Sequence, residues 1–182
     1  MKVTPTRIAD VLLVEPKIHG DERGFLVETW HAERYSAAGM PGPFVQDNHS
    51  RSVRSTLRGL HYQLERPQGK LIRVTIGEVF DVAVDLRRSS PTFGQSVSAV
   101  LSESNHYQLW VPPGFAHGFY VLSASADVLY KCTDFHDARD DRSLRWDDPV
   151  LAIPWPVPAG ALPILSDRDA AALPLDDAAT YP

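Results

Sequence analysis

Short apolar runs, each too brief for a helix and each closed by turn-forming residues, constrain this chain more than any other feature. They lie at residues 24–30, 45–50, 57–63, 70–76, 79–85, 93–101, 107–111, 118–122 and 127–133, and are rich in Val, Ile, Leu, Phe and Tyr. Strand follows strand with almost no helical periodicity between, which predicts an all-β sandwich or barrel and argues against a βαβ fold. The best helical pattern spans residues 31–38, with Gly39 as its stop. After Asp134 a charged stretch gives way to a Pro-rich tail at 149–163, expected to wrap the barrel, and a short terminal helix follows Ser166. The Ser166 hydroxyl reads most simply as that helix's N-cap. No repeat of solenoid or propeller length is present.

Size and charge narrow the function classes. A chain of 182 residues is expected to form one domain, covering residues 1–182, and to bury a core without covalent staples. A net charge of -5 argues against a general nucleic-acid binder, which needs excess Lys and Arg, yet leaves room for a small phosphorylated ligand. Cys132 is the single cysteine, so neither an internal disulfide nor a cysteine-based zinc cluster can form. The apolar run Val11-Leu12-Leu13-Val14 is too short for a secretory leader or a membrane span, and Pro16 ends it. A cytoplasmic location and no membrane partner are expected.

The chemistry centres on His61, within Leu57-Arg58-Gly59-Leu60-His61-Tyr62-Gln63. Arg58 precedes it closely and Lys70 opens the next run, so a base is flanked by two cations. Such a set suits a reaction that builds negative charge. In the run at 70–76, Lys70 shares its face with Ile72, Val74 and Ile76. Two placements fit it: inward, where an ammonium needs an anionic partner, or at the strand end, reaching water. Tyr130 shares its face with Val128 and Cys132, and a buried tyrosine ordinarily ties its hydroxyl to the backbone. His117 enters a strand from the turn Pro112-Pro113-Gly114, where a rim role and a structural role fit equally.

Several long stretches together resemble one family. They are Asp21-Glu22-Arg23-Gly24-Phe25, Phe44-Val45-Gln46-Asp47-Asn48, Leu57-Arg58-Gly59-Leu60-His61 and Asp81-Val82-Ala83-Val84-Asp85-Leu86-Arg87. Ser90-Pro91-Thr92-Phe93-Gly94, Pro113-Gly114-Phe115-Ala116-His117-Gly118-Phe119, Tyr130-Lys131-Cys132-Thr133 and Trp146-Asp147-Asp148-Pro149 follow in the same order. Across residues 11–168 the chain is similar to the dTDP-4-dehydrorhamnose 3,5-epimerases, cupin-fold enzymes of nucleotide-sugar pathways. The resemblance implies a cupin-type jelly-roll barrel and a dTDP-4-keto-6-deoxy sugar substrate, epimerised without a cofactor at C3 and C5.

By the same resemblance, His61 matches the base, Tyr130 the acid, Lys70 the group at the enolate oxygen and Asp169 the carboxylate behind the histidine. Arg23 and Arg58 match diphosphate contacts. Phe25, Glu28, Gln46, Asp47, Asn48, His117 and Arg168 match other ligand-binding positions. The family is dimeric with an N-terminal segment crossing over, so Arg23 and Glu28 are expected to serve the neighbouring subunit's site. Two positions depart from the pattern: His136 stands where many members have a tyrosine against the nucleotide base, and Asp141 where a glutamate is usual. Both bear on whether one centre or two are inverted.

Two other classes remain on this reading. A metal-dependent cupin would need a His-x-His pair, but Gln63 stands two after His61 and no other histidine is spaced to complete a cluster, so no catalytic metal is expected. A non-catalytic binding module is disfavoured by the joint presence of His61, Lys70, Tyr130 and Asp169.

Overall fold

The computed structural model describes residues 1–182 throughout. In chain order the elements are β1 (Lys2–Pro5), β2 (Leu12–Glu15), β3 (Ile18–Asp21), β4 (Gly24–Val27), α1 (Ala32–Ala37), β5 (Gln46–Val53), β6 (Leu57–Gln63) and β7 (Lys70–Ile76). They continue with β8 (Glu78–Asp85), β9 (Ser96–Ser102), β10 (Gln108–Val111), β11 (Phe115–Val121), β12 (Ser125–Cys132), β13 (Asp141–Ser143), α2 (Asp167–Ala170) and a final 3₁₀ turn. No helix is long and apolar enough to cross a membrane.

Two antiparallel sheets face each other, as the jelly-roll expectation requires. One has the order β1-β2-β10-β7-β12-β5 and the other β13-β6-β11-β8-β9, while β3 and β4 form a separate hairpin. Each run read as a strand is one, with ends moved by a few residues. The strands that escaped, β1, β2, β3 and β13, hold three or four residues each, too few for alternation to register. The helix expected at 31–38 forms at Ala32–Ala37, and Gly39 follows it at φ +90°. Ser166 caps α2, its Oγ accepting from the Asp169 N–H at 3.1 Å.

Strand alternation divides the apolar side chains into layers. Ile72, Val74, Ala83, Val97, Leu109, Phe115, Phe119 and Val128 fill the space between the sheets. On the back of the five-stranded sheet, Leu60, Tyr62, Val82, Val84 and Leu144 meet Leu151, Leu175 and Tyr181 from the tail. The tail therefore wraps the barrel. Tyr62 Oη donates to the Ala179 carbonyl at 2.6 Å, and Tyr181 Oη to the Gln63 carbonyl at 2.5 Å. On the back of the six-stranded sheet, Tyr35 of α1 packs with Met40, Leu71 and Trp110.

Two buried carboxylates are structural. Buried Asp85 accepts from the Arg87 guanidinium and from Ser90 and Thr92 hydroxyls, fixing the turn after β8. Burial works against its charge, but these donors outweigh it and hold the carboxyl at about 2. Buried Asp140 accepts backbone N–H bonds from Leu64, Glu65 and Arg66, closing the loop between β6 and β7.

Candidate active site

The inward faces of both sheets meet at a cleft of about 280 Å³ lined by His61, Lys70 and Tyr130, with Gln46, Asn48, Gln68, Cys132, His136 and Asp141 around them. His61 comes from β6 of the five-stranded sheet; Lys70 and Tyr130 come from the adjacent strands β7 and β12 of the opposing one. A ligand in the cleft thus has an imidazole on one side and a phenol on the other.

The surroundings of each of these side chains bear on its protonation. His61 Nε2 lies 2.5 Å from Asp169 Oδ1. An ionised carboxylate only accepts, so Nε2 carries the proton and Nδ1 keeps the free lone pair. Burial raises the Asp169 carboxyl, but the bonds from His61 and Ser166 outweigh it, leaving it below the ordinary carboxylate range. Burial raises the Tyr130 phenol, so it keeps its proton, while nearby Arg58 acts the other way and favours the phenolate. The Tyr130 hydroxyl has no hydrogen-bond partner in the chain, so the structural role open to a buried tyrosine does not apply. Lys70 points inward, 9% exposed, and its Nζ has only a 3.5 Å approach to the His61 carbonyl. Desolvation depresses its pKa, and no carboxylate pairs with it. An unpaired buried ammonium is costly unless a ligand supplies the negative charge.

Arg58 reaches the same face through a backbone irregularity. Simple alternation would put Arg58 and His61, three apart, on opposite faces. The pairing of β6 with β11 slips between His117↔His61 and Phe119↔Arg58, a bulge that adds one residue to β6. Arg58 Nε then bonds Ser52 Oγ on the inward face of β5, at 2.9 Å. The bulge depends on Gly59, at φ +114°, where a Cβ would come within 2.7 Å of Gly118 Cα and of the His117 carbonyl oxygen. Gly59→Ala is expected to lower stability by about 2–4 kcal/mol, read from urea unfolding, through backbone strain and collision together.

Not every sequence-derived position lands here. Gln46 and Asn48 line the cleft, whereas Asp47, between them, faces the outside of β5 and pairs with Lys131 at 2.9 Å. Period-two alternation forbids the three from sharing a face. His117 is buried, held by Asp81 at 2.9 Å, and lies beside His61 in the sheet rather than in the cleft wall. Arg168 stands behind the wall, bonded to Asp141 and to Ser143 Oγ. His136 and Asp141 do line the cleft and are joined at 3.1 Å. Arg23, Phe25 and Glu28 do not line it: Arg23 pairs with Asp21, Phe25 stacks on His106, and Glu28 holds Arg34.

Sequence reading passed over Asp81, Gln63 and Gln68. Alternation with Val79 and Ala83 could have marked Asp81 as a buried charge on the inward face. Gln63 is 2% exposed and anchors the loop that carries His136, accepting from the Asp137 N–H and donating to the Phe135 carbonyl. Gln68 donates to the Asp134 carbonyl at 2.8 Å from the cleft wall. No group of three or more His, Cys, Asp or Glu side chains is arranged to hold a metal ion.

A family model for dTDP-4-dehydrorhamnose 3,5-epimerase matches residues 5–177. The chain belongs to the dTDP-4-dehydrorhamnose 3,5-epimerase family. As a member of these epimerases it is an isomerase with the cupin-type jelly-roll fold. The dTDP-4-dehydrorhamnose 3,5-epimerase of Pseudomonas aeruginosa is 53% identical, over 100% of both chains. The structure of the dTDP-6-deoxy-D-glucose-3,5-epimerase of Legionella pneumophila in complex with dTDP-4-keto-L-rhamnose is similar at a TM-score of 0.94 and 52% identity, covering 98% of this chain and 94% of that one. A 3′-monoepimerase from Streptomyces bikiniensis, in complex with dTDP-quinovose, shares the fold at a TM-score of 0.87 with 33% identity, covering 94% and 86%.

Proposed function

We propose that this epimerase inverts C3 and C5 of a dTDP-4-keto-6-deoxyhexose, with His61 as base and Tyr130 as acid. The observation that carries the reading is their placement on opposing sheets, with unpaired Lys70 in the cleft between them. A ketone at C4 acidifies the hydrogens on C3 and C5, because the carbanion delocalises onto oxygen. His61 Nδ1 takes the C–H proton, and the enolate oxygen gains the negative charge that Lys70 lacks a partner for. Tyr130 delivers its hydroxyl proton to the opposite ring face, leaving a phenolate that Arg58 favours. Exchange with water then resets both groups. The substrate's own ketone is the electron sink, so the sequence needs no cofactor.

The cleft's size supports the same division of labour. Sites for drug-sized ligands occupy about 300–1,000 Å³, so about 280 Å³ suits one sugar ring and leaves the nucleotide at the rim. Inversion of both centres is favoured by identity, 53% and 52% to the two 3,5-epimerases against 33% to the monoepimerase.

Arg23, Phe25 and Glu28 fit this reading through a homodimer whose β3–β4 hairpin reaches the neighbouring cleft. The hairpin carries Phe25 and Leu26 at 62% and 72% exposure, an apolar surface that a second copy would cover. Mixing inactive Arg23→Ala and His61→Gln proteins should then restore activity, since one site of the mixed dimer keeps both native groups. Absence of any recovery in mixed dimers excludes the crossover.

The deciding experiment is incubation with dTDP-4-keto-6-deoxyglucose in deuterated water, followed by NMR. Deuterium at C3 and C5 is expected. Label at one carbon alone makes the enzyme a monoepimerase, and label at neither removes the epimerase reading for this substrate.

A further inference from the structure

Resting on the proposed roles of His61 and Asp169, we propose that Ser166 is a positioning residue for the base, its hydroxyl holding the Asp169 carboxylate in line with His61 Nε2. The sequence marks Ser166 only as the cap of a terminal helix, and the structure shows what that cap holds. Ser166 and Asp169 have the Ser-x-x-Asp spacing of a capping box. In such a box the hydroxyl accepts from the backbone N–H three residues on, and the acidic side chain turns back to the serine N–H. Only the first half serves the helix here. Ser166 Oγ accepts from the Asp169 N–H at 3.1 Å, while Asp169 Oδ1 lies 2.5 Å from His61 Nε2.

Asp169 depends on such a hold. Helix α2 is a single turn, Asp167–Ala170, too short to be stable by its own hydrogen bonds. Its flanks are pinned to the five-stranded sheet: the Leu57 N–H donates to the Ile164 carbonyl at 3.0 Å, and the Arg145 N–H to the Leu173 carbonyl at 2.8 Å. Arg168 adds a bond to Ser143 Oγ at 2.9 Å. None of these bonds involves Asp169. Burial opposes the charge of its carboxylate, and the His61 imidazole, the Ser166 hydroxyl and the Gly59 N–H outweigh that burial. His61 and Gly59 both belong to β6, so Ser166 is the donor that acts from the carboxylate's own segment. Released on that side, the carboxylate turns about its side-chain bonds. The imidazole then loses the fixed partner that orients Nδ1 and stabilises the cation formed when Nδ1 takes a proton. Ser166 is exposed and does not line the cleft, so replacing it opens no cavity and removes no ligand contact there.

The test compares Ser166→Gly and Ser166→Thr with the native chain. Glycine is tolerated at a helix cap almost as well as serine but has no hydroxyl, and threonine restores one. With dTDP-4-keto-6-deoxyglucose, Ser166→Gly should lower kcat about tenfold. KM and the urea midpoint should change little, and Ser166→Thr should recover most of the loss. Proton NMR of the ligand-free chain supplies a readout independent of turnover. The imidazole proton bonded to Asp169 should resonate far downfield and be absent from His61→Gln. It should be lost to exchange with water in Ser166→Gly and return in Ser166→Thr. An undiminished kcat or an unchanged downfield resonance in Ser166→Gly overturns the inference and leaves the base assignment standing. A loss that Ser166→Thr fails to recover overturns it as well. Absence of turnover by the native chain overturns the substrate reading instead, and the resonance then decides the inference alone.

Discussion

His61→Gln is expected to lower kcat by about 10²–10⁴-fold, the range that a positioned general base contributes. Glutamine places an N–H donor near the position of Nε2, so Asp169 keeps a partner and the buried carboxylate is not stranded. What it lacks is the basic Nδ1. The expected signature is a loss in kcat with little change in KM or in the urea midpoint, and with deuterium exchange at C3 and C5 lost in parallel. Full turnover by this variant would remove His61 from the reaction.

Lys70→Met should move stability and activity in opposite directions. The native ammonium is buried, receives one long contact to a carbonyl, and has no carboxylate bonded to it. Removing such a charge while keeping the aliphatic stem is expected to stabilise the chain by about 1–3 kcal/mol. The same change removes the positive charge proposed to face the enolate oxygen and should cost about 10²–10³ in kcat.

The pH dependence of that stability has a definite sign. Desolvation sets the Lys70 pKa below its ordinary 10.5 in the folded chain. Between the folded value and 10.5 the unfolded chain binds more protons, so Lys70 contributes a stability that rises with pH. Lys70→Met lacks this contribution. Its advantage in urea unfolding should therefore shrink as the pH climbs toward 10.5, and an advantage that grows instead would contradict the buried, unpaired ammonium.

Much of the site was legible because strands repeat every two residues. Lys70 with Ile72 and Val74, and Tyr130 with Val128, were assigned to shared faces from spacing, and those faces are the inner ones. The same rule, applied to Gln46-Asp47-Asn48, excludes Asp47 from the cleft, although family resemblance had grouped the three. Arg58 shows the opposite failure. Spacing separates it from His61, and only the bulge at Gly59 brings both to one face. His117 was equally compatible with rim and core until Asp81, buried 36 residues earlier in the chain, was seen to hold it. Arg23 and Phe25 carry the family's pattern on the β3–β4 hairpin and Glu28 directly after it, and within one chain none of the three lines the cleft of His61.

The strand-rich architecture and the absence of an internal disulfide were determined by the sequence, since each rests on residue type or local period, while the residues proposed as base, acid and cation were marked by motifs that resemble the family's. Tertiary structure decided which group faces which. His61 and Tyr130 lie on different sheets, and Asp169 reaches His61 across 108 residues of chain. Such pairings follow from sheet packing and register, which are properties of contacts between distant segments and leave no local period in the chain.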